Sequence, residues 1–148
     1  MIAVLPIIIG EKNPVLRQKT KKVPRITKDI LKLIDDMDAT REHAVGAGIA
    51  APQVGRSERL CIAMINKRAV PLINPFITRR SDKMETGEEG CLSLPDVWIQ
   101  VPRSKEIDLQ YQDAKGRKQE LTLSDWDARV VQHEVDHLDG VLIVDYAL

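Results

Sequence analysis

The run His133-Glu134-Val135-Asp136-His137 constrains this chain more than any other stretch, because histidines four residues apart on a helix project from one face, a turn apart. Two imidazoles so placed can grip one metal ion together, and the fold must then bring a third ligand to that face from another element. Local signals predict the helix itself. Ser124 is placed to cap it, Asp127 follows as a short capping-box partner, and Gly140 supplies the stop. Trp126, Val130, Val131, Val135 and Leu138 are expected to bury its sides. Glu134 neighbours the histidine face, where a carboxylate can reach a metal-bound water without being a ligand, as in the H-E-x-x-H pattern of metal hydrolases.

The third ligand has to come from a short inventory. The chain has two cysteines, and they sit in different surroundings. Cys61 lies in the apolar run Leu60-Cys61-Ile62-Ala63-Met64-Ile65, which reads as a buried strand with an inert core thiol. Cys91 lies in Glu88-Glu89-Gly90-Cys91-Leu92-Ser93-Leu94-Pro95, where glycine and proline punctuate a turn and leave the thiol accessible. Beside the histidine pair Cys91 is the best third ligand. One thiolate and two imidazoles leave a fourth position open, the layout of a catalytic rather than a structural site. The remaining histidine, His43, ends a helix before a glycine loop and reads as a surface residue.

The 148 residues, 43% hydrophobic and 30% charged, suffice for one domain with its own core, spanning 1–148. Twenty-two basic and 22 acidic side chains cancel, so nothing favours nucleic acid or an anionic membrane as a general partner. Residues 1–9 are apolar but lack a basic flank and a cleavage site, and read as a first strand or arm rather than a signal peptide. No window reaches the roughly twenty apolar residues of a membrane span, which makes the cytosol the expected compartment.

A first helix is expected over about residues 28–41, capped by Thr27, with Ile30, Leu33, Ile34 and Met37 facing inward. Strands are expected over 60–65, 69–73, 97–101, 107–111 and 119–123, with a hairpin turn at Asp113-Ala114-Lys115-Gly116 and a last strand at 141–144. This pattern predicts an α+β fold: short mixed or antiparallel strands around a central metal-binding helix, with one N-terminal helix. Gly46-Ala47-Gly48-Ile49-Ala50-Ala51-Pro52-Gln53 imitates a dinucleotide fingerprint, but a helix rather than a strand precedes it and Pro52 interrupts what should become a helix. Its small residues instead let backbone run close to a ligand or to the metal helix, and Gln53 offers an amide at the edge of that floor.

Together these segments resemble the signature of peptide deformylases, metal enzymes that remove the formyl group from N-formylmethionine. Residues 46–53 fit G-x-G-x-A-A-P-Q, residues 89–93 fit E-G-C-L-S, and residues 132–140 fit Q-H-E-x-D-H-L-x-G, in the family's order. Weaker similarity extends over nearly the whole chain, including Leu72-Ile73-Asn74-Pro75, Val101-Pro102-Arg103 and Asp145-Tyr146. The resemblance implies that Cys91, His133 and His137 hold one divalent metal ion. It also implies that Glu134 is the general acid/base when metal-bound water attacks the formyl carbon, and that Gln53 with the backbone N–H of Leu92 lines the oxyanion site. Fe(II) is the expected physiological ion, with Zn(II), Ni(II) or Co(II) able to occupy the same donors. Val130, Ala47, Gly48 and Trp126 are expected against the substrate's methionine, and Glu89, Arg103 and Asp136 are expected to orient the ligands from behind.

The implied partners are N-formylmethionyl nascent peptides, met by a monomer. Many family members continue past the Asp-Tyr segment into a basic helix associated with the ribosomal exit tunnel. This sequence stops at Leu148, which leaves ribosome contact open. A zincin-type peptidase would need a further ligand downstream of the helix, and no His or Glu follows His137. A catalytically dead binding module would be expected to have lost the glutamate, a ligand or the glutamine, and all are present.

Overall fold

Strand β2 (Leu60–Ile65) is apolar without alternation, and the fold explains why: it is covered on both faces. Leu60 and Ile62 pack with Ile30, Leu33, Ile34 and Met37 of helix α2 (Lys28–His43). Cys61, Ala63 and Ile65 face the other way, into a cluster with Val131, Val135 and Leu138 of helix α3 (Asp125–Leu138). The small side chains Ala50, Cys61 and Ala63 belong to this second cluster, where little bulk separates α3 from the sheet. The computed structural model describes residues 1–147, so Leu148, the last residue of the expected span, lies outside the described residues.

The five-stranded sheet runs in the order β1 (Gly48–Ala50), β2, β3 (Arg68–Arg80), β6 (Glu106–Gln112), β7 (Lys118–Ser124), with every neighbour antiparallel. A separate two-stranded hairpin, β4 (Met84–Cys91) with β5 (Leu94–Ser104), carries the cysteine motif. Between Glu89 and Cys91 its pairing register shifts, a bulge that re-aims the strand end carrying the thiol. A single-turn helix, α1 (Pro14–Arg17), precedes α2 and was not anticipated. Leu16 from it, Leu94 and Val101 from the hairpin, and Leu142 and Ile143 from the tail form a third core cluster. The α+β expectation therefore holds, and no described helix is long and apolar enough to cross a membrane.

The helix over 28–41 forms with the expected cap, Thr27 Oγ1 accepting from the Ile30 amide, and runs two residues further. Of the two readings for residues 1–9, strand or arm, the arm forms, because their amides are satisfied elsewhere: Ala3 donates to Asp36, Leu5 to Thr40 and Ile8 to the Gln53 carbonyl. Four expectations need correction. Residues 141–144 do not pair as a strand. Leu142 and Ile143 plug the third cluster, and a 3₁₀ turn over Ile143–Tyr146 follows, with the Asp145 carboxylate accepting from the Leu142 amide. Ser124 occupies the N-cap of α3 without a side-chain cap bond, and Asp127 accepts from the Asn66 amide instead of closing a capping box. Trp126 does not bury the helix's side; it is 61% exposed. Residues 46–53, read as a loop, contain edge strand β1 and a 3₁₀ turn, Ala51–Val54. The helix does stop where the sequence indicates, with Gly140 following Asp139 in the left-handed region at φ +76°.

Candidate functional site

His133 and His137 lie on one face of α3 with ring centroids 5.0 Å apart, as their spacing requires. Cys91, at the end of β4, brings its sulfur to 3.3 Å from His137 Nε2. One ligand atom from each of the three residues falls within 4.8 Å of the others. Such a cluster of one soft thiolate and two imidazoles suits a divalent transition metal in tetrahedral or slightly expanded coordination. Two buried polar atoms beside it, Glu134 Oε1 and His137 Nδ1, have no hydrogen-bond partner among the described residues. The site fits a bound dication on that chemistry.

One of the three candidate ligands, His133, is held by a second set of groups. His133 Nδ1 meets Glu89 Oε1 at 2.8 Å, which turns its other nitrogen towards the thiol. Arg103 from β5 grips the same Glu89 carboxylate at both oxygens, 2.8 and 2.9 Å, and also pairs with Asp136 on α3. Arg129, unassigned in the sequence, adds a bond to Glu89 Oε2 at 2.6 Å and donates to the carbonyls of Val101 and Glu85. Tyr146 donates to Asp136 at 2.7 Å and lies under the Arg103 guanidinium. The hairpin that bears the cysteine is thereby tied to the helix that bears the histidines.

The charges follow from this packing. Burial alone would raise the Glu89 carboxyl, but its bonds to Arg103 and His133 hold it down at about 2. Burial disfavours a charged His133, yet Cys91 and Glu89 outweigh it and raise the imidazole to about 10. Burial, then the neighbouring His133 charge, pushes His137 well below its ordinary value. Burial lifts the Glu134 carboxyl to about 7, with His133 pulling the other way. Cys61 is buried, as expected, and its thiol is raised well above the ordinary value.

A cleft of about 520 Å³ opens over this cluster. Its lining includes Ala47, Gly48, Gln53, Cys91, Leu92, Val130, His133, Glu134 and Trp126, gathered from four elements. Gly48 is pressed against the catalytic candidate: a Cβ there would lie 2.6 Å from Glu134 Oε2, so only glycine lets β1 pass this close to the carboxylate. Gln53 is buried, with its Oε1 accepting from the Ala50 amide and its Nε2 donating to Ser93 Oγ at 3.1 Å, 3.9 Å from the Cys91 sulfur. Arg103 and Asp136 lie off the cleft lining, whereas Glu89, expected behind the ligands with them, is on it. Sequence reasoning missed Arg129, Ser93, Tyr146 and the bracing role of Gln132, whose amide bonds both the carbonyl and the N–H of Ser104. Gln132 and Ser93 carried a signal by standing inside two of the motifs, and Tyr146 by standing in the weaker Asp145-Tyr146 match, whereas Arg129 carried none.

An α+β fold that buries a carboxylate beside a helix-borne histidine pair and a hairpin cysteine defines a metal-dependent hydrolase class. Comparison with known proteins narrows it. A polypeptide deformylase family profile matches residues 5–148. The peptide deformylase of Thermotoga petrophila is 44% identical over 133 residues, 90% of this chain and 81% of that protein. The crystal structure of peptide deformylase from Thermotoga maritima superposes with a TM-score of 0.93 at 40% identity, covering 97% of both chains. A class I type b peptide deformylase from Acinetobacter baumannii, solved with Met-Ala-Ser bound, gives a TM-score of 0.93 at 36% identity over 99% of both chains. The chain belongs to the polypeptide deformylase family of hydrolases.

Proposed function

We propose that this chain removes the formyl group from the N-terminal formylmethionine of nascent polypeptides, as one catalytic domain over 1–148, in the cytosol where such chains are made. The observation that carries the reading is the convergence of Cys91, His133 and His137 donor atoms within 4.8 Å, beside a buried glutamate with an unpartnered oxygen. The bound Met-Ala-Ser of the Acinetobacter baumannii relative has the composition of a deformylated product, which favours the same substrate here.

Cys91, His133 and His137 would hold the ion. When bound, it supplies Lewis-acid polarisation of the formyl oxygen and brings the acidity of water into the neutral range. Glu134 accepts the proton of the attacking water and passes it to the departing amine. Charge gathers on the formyl oxygen, where the Gln53 amide and the Leu92 N–H donate; one such donor is typically worth roughly 2.7 to 4 kcal/mol of barrier. Val130, Ala47, Gly48 and Trp126 receive the methionine side chain. Glu89, Arg103 and Asp136 keep the imidazoles and the cysteine hairpin in register.

Incubation with formyl-Met-Ala-Ser and with its unformylated counterpart tests the reading. Formate release from the first alone is expected, whereas internal cleavage of either peptide, or no reaction, would overturn it. Fe(II) is the proposed physiological ion, with Zn(II), Ni(II) or Co(II) as substitutes. Protein made and purified without oxygen is expected to contain iron and to lose activity in air. Anaerobic protein holding zinc alone, with full and air-stable turnover, would reject the iron assignment.

A further inference from the structure

The two donors assigned to the formyl oxygen come from different elements: Gln53 from the 3₁₀ turn after β1, and the Leu92 amide from the turn between β4 and β5. The N-terminal arm joins them. Ile8 N–H donates to the Gln53 carbonyl at 2.7 Å, and Gly10 N–H donates to the Ser93 carbonyl at 3.0 Å. One short segment thus holds both the backbone of the glutamine and the backbone next to Leu92. Gln53 and Ser93 are buried, and their side chains meet as well, Nε2 to Oγ at 3.1 Å. That bond leaves one Nε2 hydrogen uncommitted to oxygen, and the Cys91 sulfur lies 3.9 Å from the nitrogen. The segment is anchored on both sides. Ala3 and Leu5 bond Asp36 and Thr40 of α2, and half-buried Ile8 packs against the third core cluster. Gly10 then turns the chain towards α1 at φ +110°, its carbonyl accepting from the Asn13 amide at 3.1 Å. Glycine adopts this φ without strain, and an added Cβ would meet no atom within 4 Å, so the position demands a conformation rather than a small volume.

We infer that residues 8–10 are a strap that fixes the spacing of the two oxyanion donors, with Ile8 and Gly10 as positioning residues that act through Gln53 and Ser93. The inference rests on the deformylase reading and on the oxyanion role given there to Gln53 and Leu92. Such donors are worth most when they are already aimed at the place where charge will gather. Strand β1 is an edge of the five-stranded sheet, whereas Leu92 belongs to the separate hairpin, so no shared ladder sets the distance between the two turns. The strap supplies that brace from outside the cleft, through main-chain bonds to both turns. A displacement of about 1 Å at a reacting centre can cost about a hundredfold in rate, so a brace that touches no substrate still bears on turnover.

Two strap variants of the metal-loaded enzyme, assayed on formyl-Met-Ala-Ser, provide the test. Gly10→Ala strains the turn, and an ester in place of the Ile7–Ile8 peptide bond deletes the Ile8 N–H while leaving every side chain in place. Each is expected to lower kcat by about three- to thirtyfold, a fraction of what a whole oxyanion donor supplies. Metal content should be unchanged, and Met-Ala-Ser, which carries no formyl group, should bind as it does to the unaltered enzyme. Because the strap acts through Gln53, the same ester in a Gln53→Ala background should cost less than about twofold more. In NMR spectra of zinc-loaded protein, the Gln53 side-chain amide signals should shift in the ester variant. Those of Asn74, whose amide donates to Val23 and Gln112 instead, should stay. Unchanged kcat in the ester variant, a loss carried by KM with weaker Met-Ala-Ser binding, or a fully additive loss in the Gln53→Ala background would overturn the inference. Parental kcat in Gln53→Ala alone would overturn the oxyanion role beneath it, and absence of turnover by the unaltered enzyme would overturn the deformylase reading itself.

Discussion

Glu134 is the residue on which the proposed chemistry turns, and its surroundings suit a proton carrier. Burial lifts its carboxyl to about 7, close to the pH at which an acid/base works best, and Gly48 allows the strand to close over it. Glu134→Gln should keep the Cys91, His133 and His137 donors, so metal content should be unchanged while turnover falls by about 10²- to 10⁴-fold. Metal analysis beside single-turnover rates checks both halves, and near-normal turnover in a metal-replete variant would remove Glu134 from its role. The cysteines should behave differently from one another. Cys91→Ser exchanges a thiolate for a neutral hydroxyl and should strip most metal and activity. Cys61→Ser sits in the sheet's apolar face towards α3 and should retain the metal while losing about 1 to 3 kcal/mol of stability for a buried polar group.

At the scale of elements, the β4–β5 hairpin and α3 meet through one buried network centred on Arg103. Removing its guanidinium would take the ion-pair partner from Asp136 and one of the partners from Glu89, which would keep Arg129 and His133. Arg103→Leu is therefore expected to cost about 3 to 5 kcal/mol, and to weaken metal binding by about 10- to 100-fold in chelator competition. A variant with unaltered melting and metal affinity would show that Arg129 alone holds the hairpin. The tail is tied less tightly, by Arg17 of α1 to Asp145 at 2.6 Å near the surface. The Arg17 bond, ahead of the Leu142 amide and against burial, holds the Asp145 carboxyl below its ordinary value. The folded protein thus binds this proton more weakly than the unfolded chain. The stabilisation is complete above the unfolded value of 3.8 and drains away as pH falls through the folded one. Arg17→Met should flatten that acid limb in pH-dependent melts: the small loss of stability expected for a largely exposed pair appears at neutral pH and disappears as pH falls through the carboxyl's folded value.

Across the whole molecule, the sheet has helices on both faces, and the candidate metal centre lies where its edge strand β1, helix α3 and the separate hairpin converge. An ion held by ligands from two of these bodies binds the folded state and not the unfolded chain, so it adds to global stability by mass action. With free metal at one hundred times its dissociation constant, that is about 2.7 kcal/mol. Exhaustive chelation should lower Tm by roughly 5 to 10 °C for a domain of this size, and stoichiometric Co(II) or Zn(II) should restore it. An unchanged Tm after verified metal loss would mean that the hairpin and helix are fully braced by Arg103 and Arg129 alone.

The sequence by itself determined the elements with strong local signals: helix α2 with its Thr27 cap, strand β2 to the residue, the hairpin turn at 113–116, and the Gly140 stop. The three side chains that converge in the candidate site were also legible in it, because a histidine pair at helical spacing and a cysteine between glycine and leucine are local patterns that need no partner to be read. Tertiary structure decided everything that depends on competition for hydrogen bonds or surface. Leu142 and Ile143 look like a strand but fill a core gap against Leu16, Leu94 and Val101, with no strand paired to them. Residues 1–9 read equally as a strand or an arm, and the arm results because they find amide partners on α2 and Gln53. Trp126 looks like core but stands at the cleft mouth, and Arg129 looks like surface but grips Glu89 at 2.6 Å. Period and propensity describe what a segment can bury, whereas its actual neighbours are set by chain segments dozens of residues away that reach the same space first.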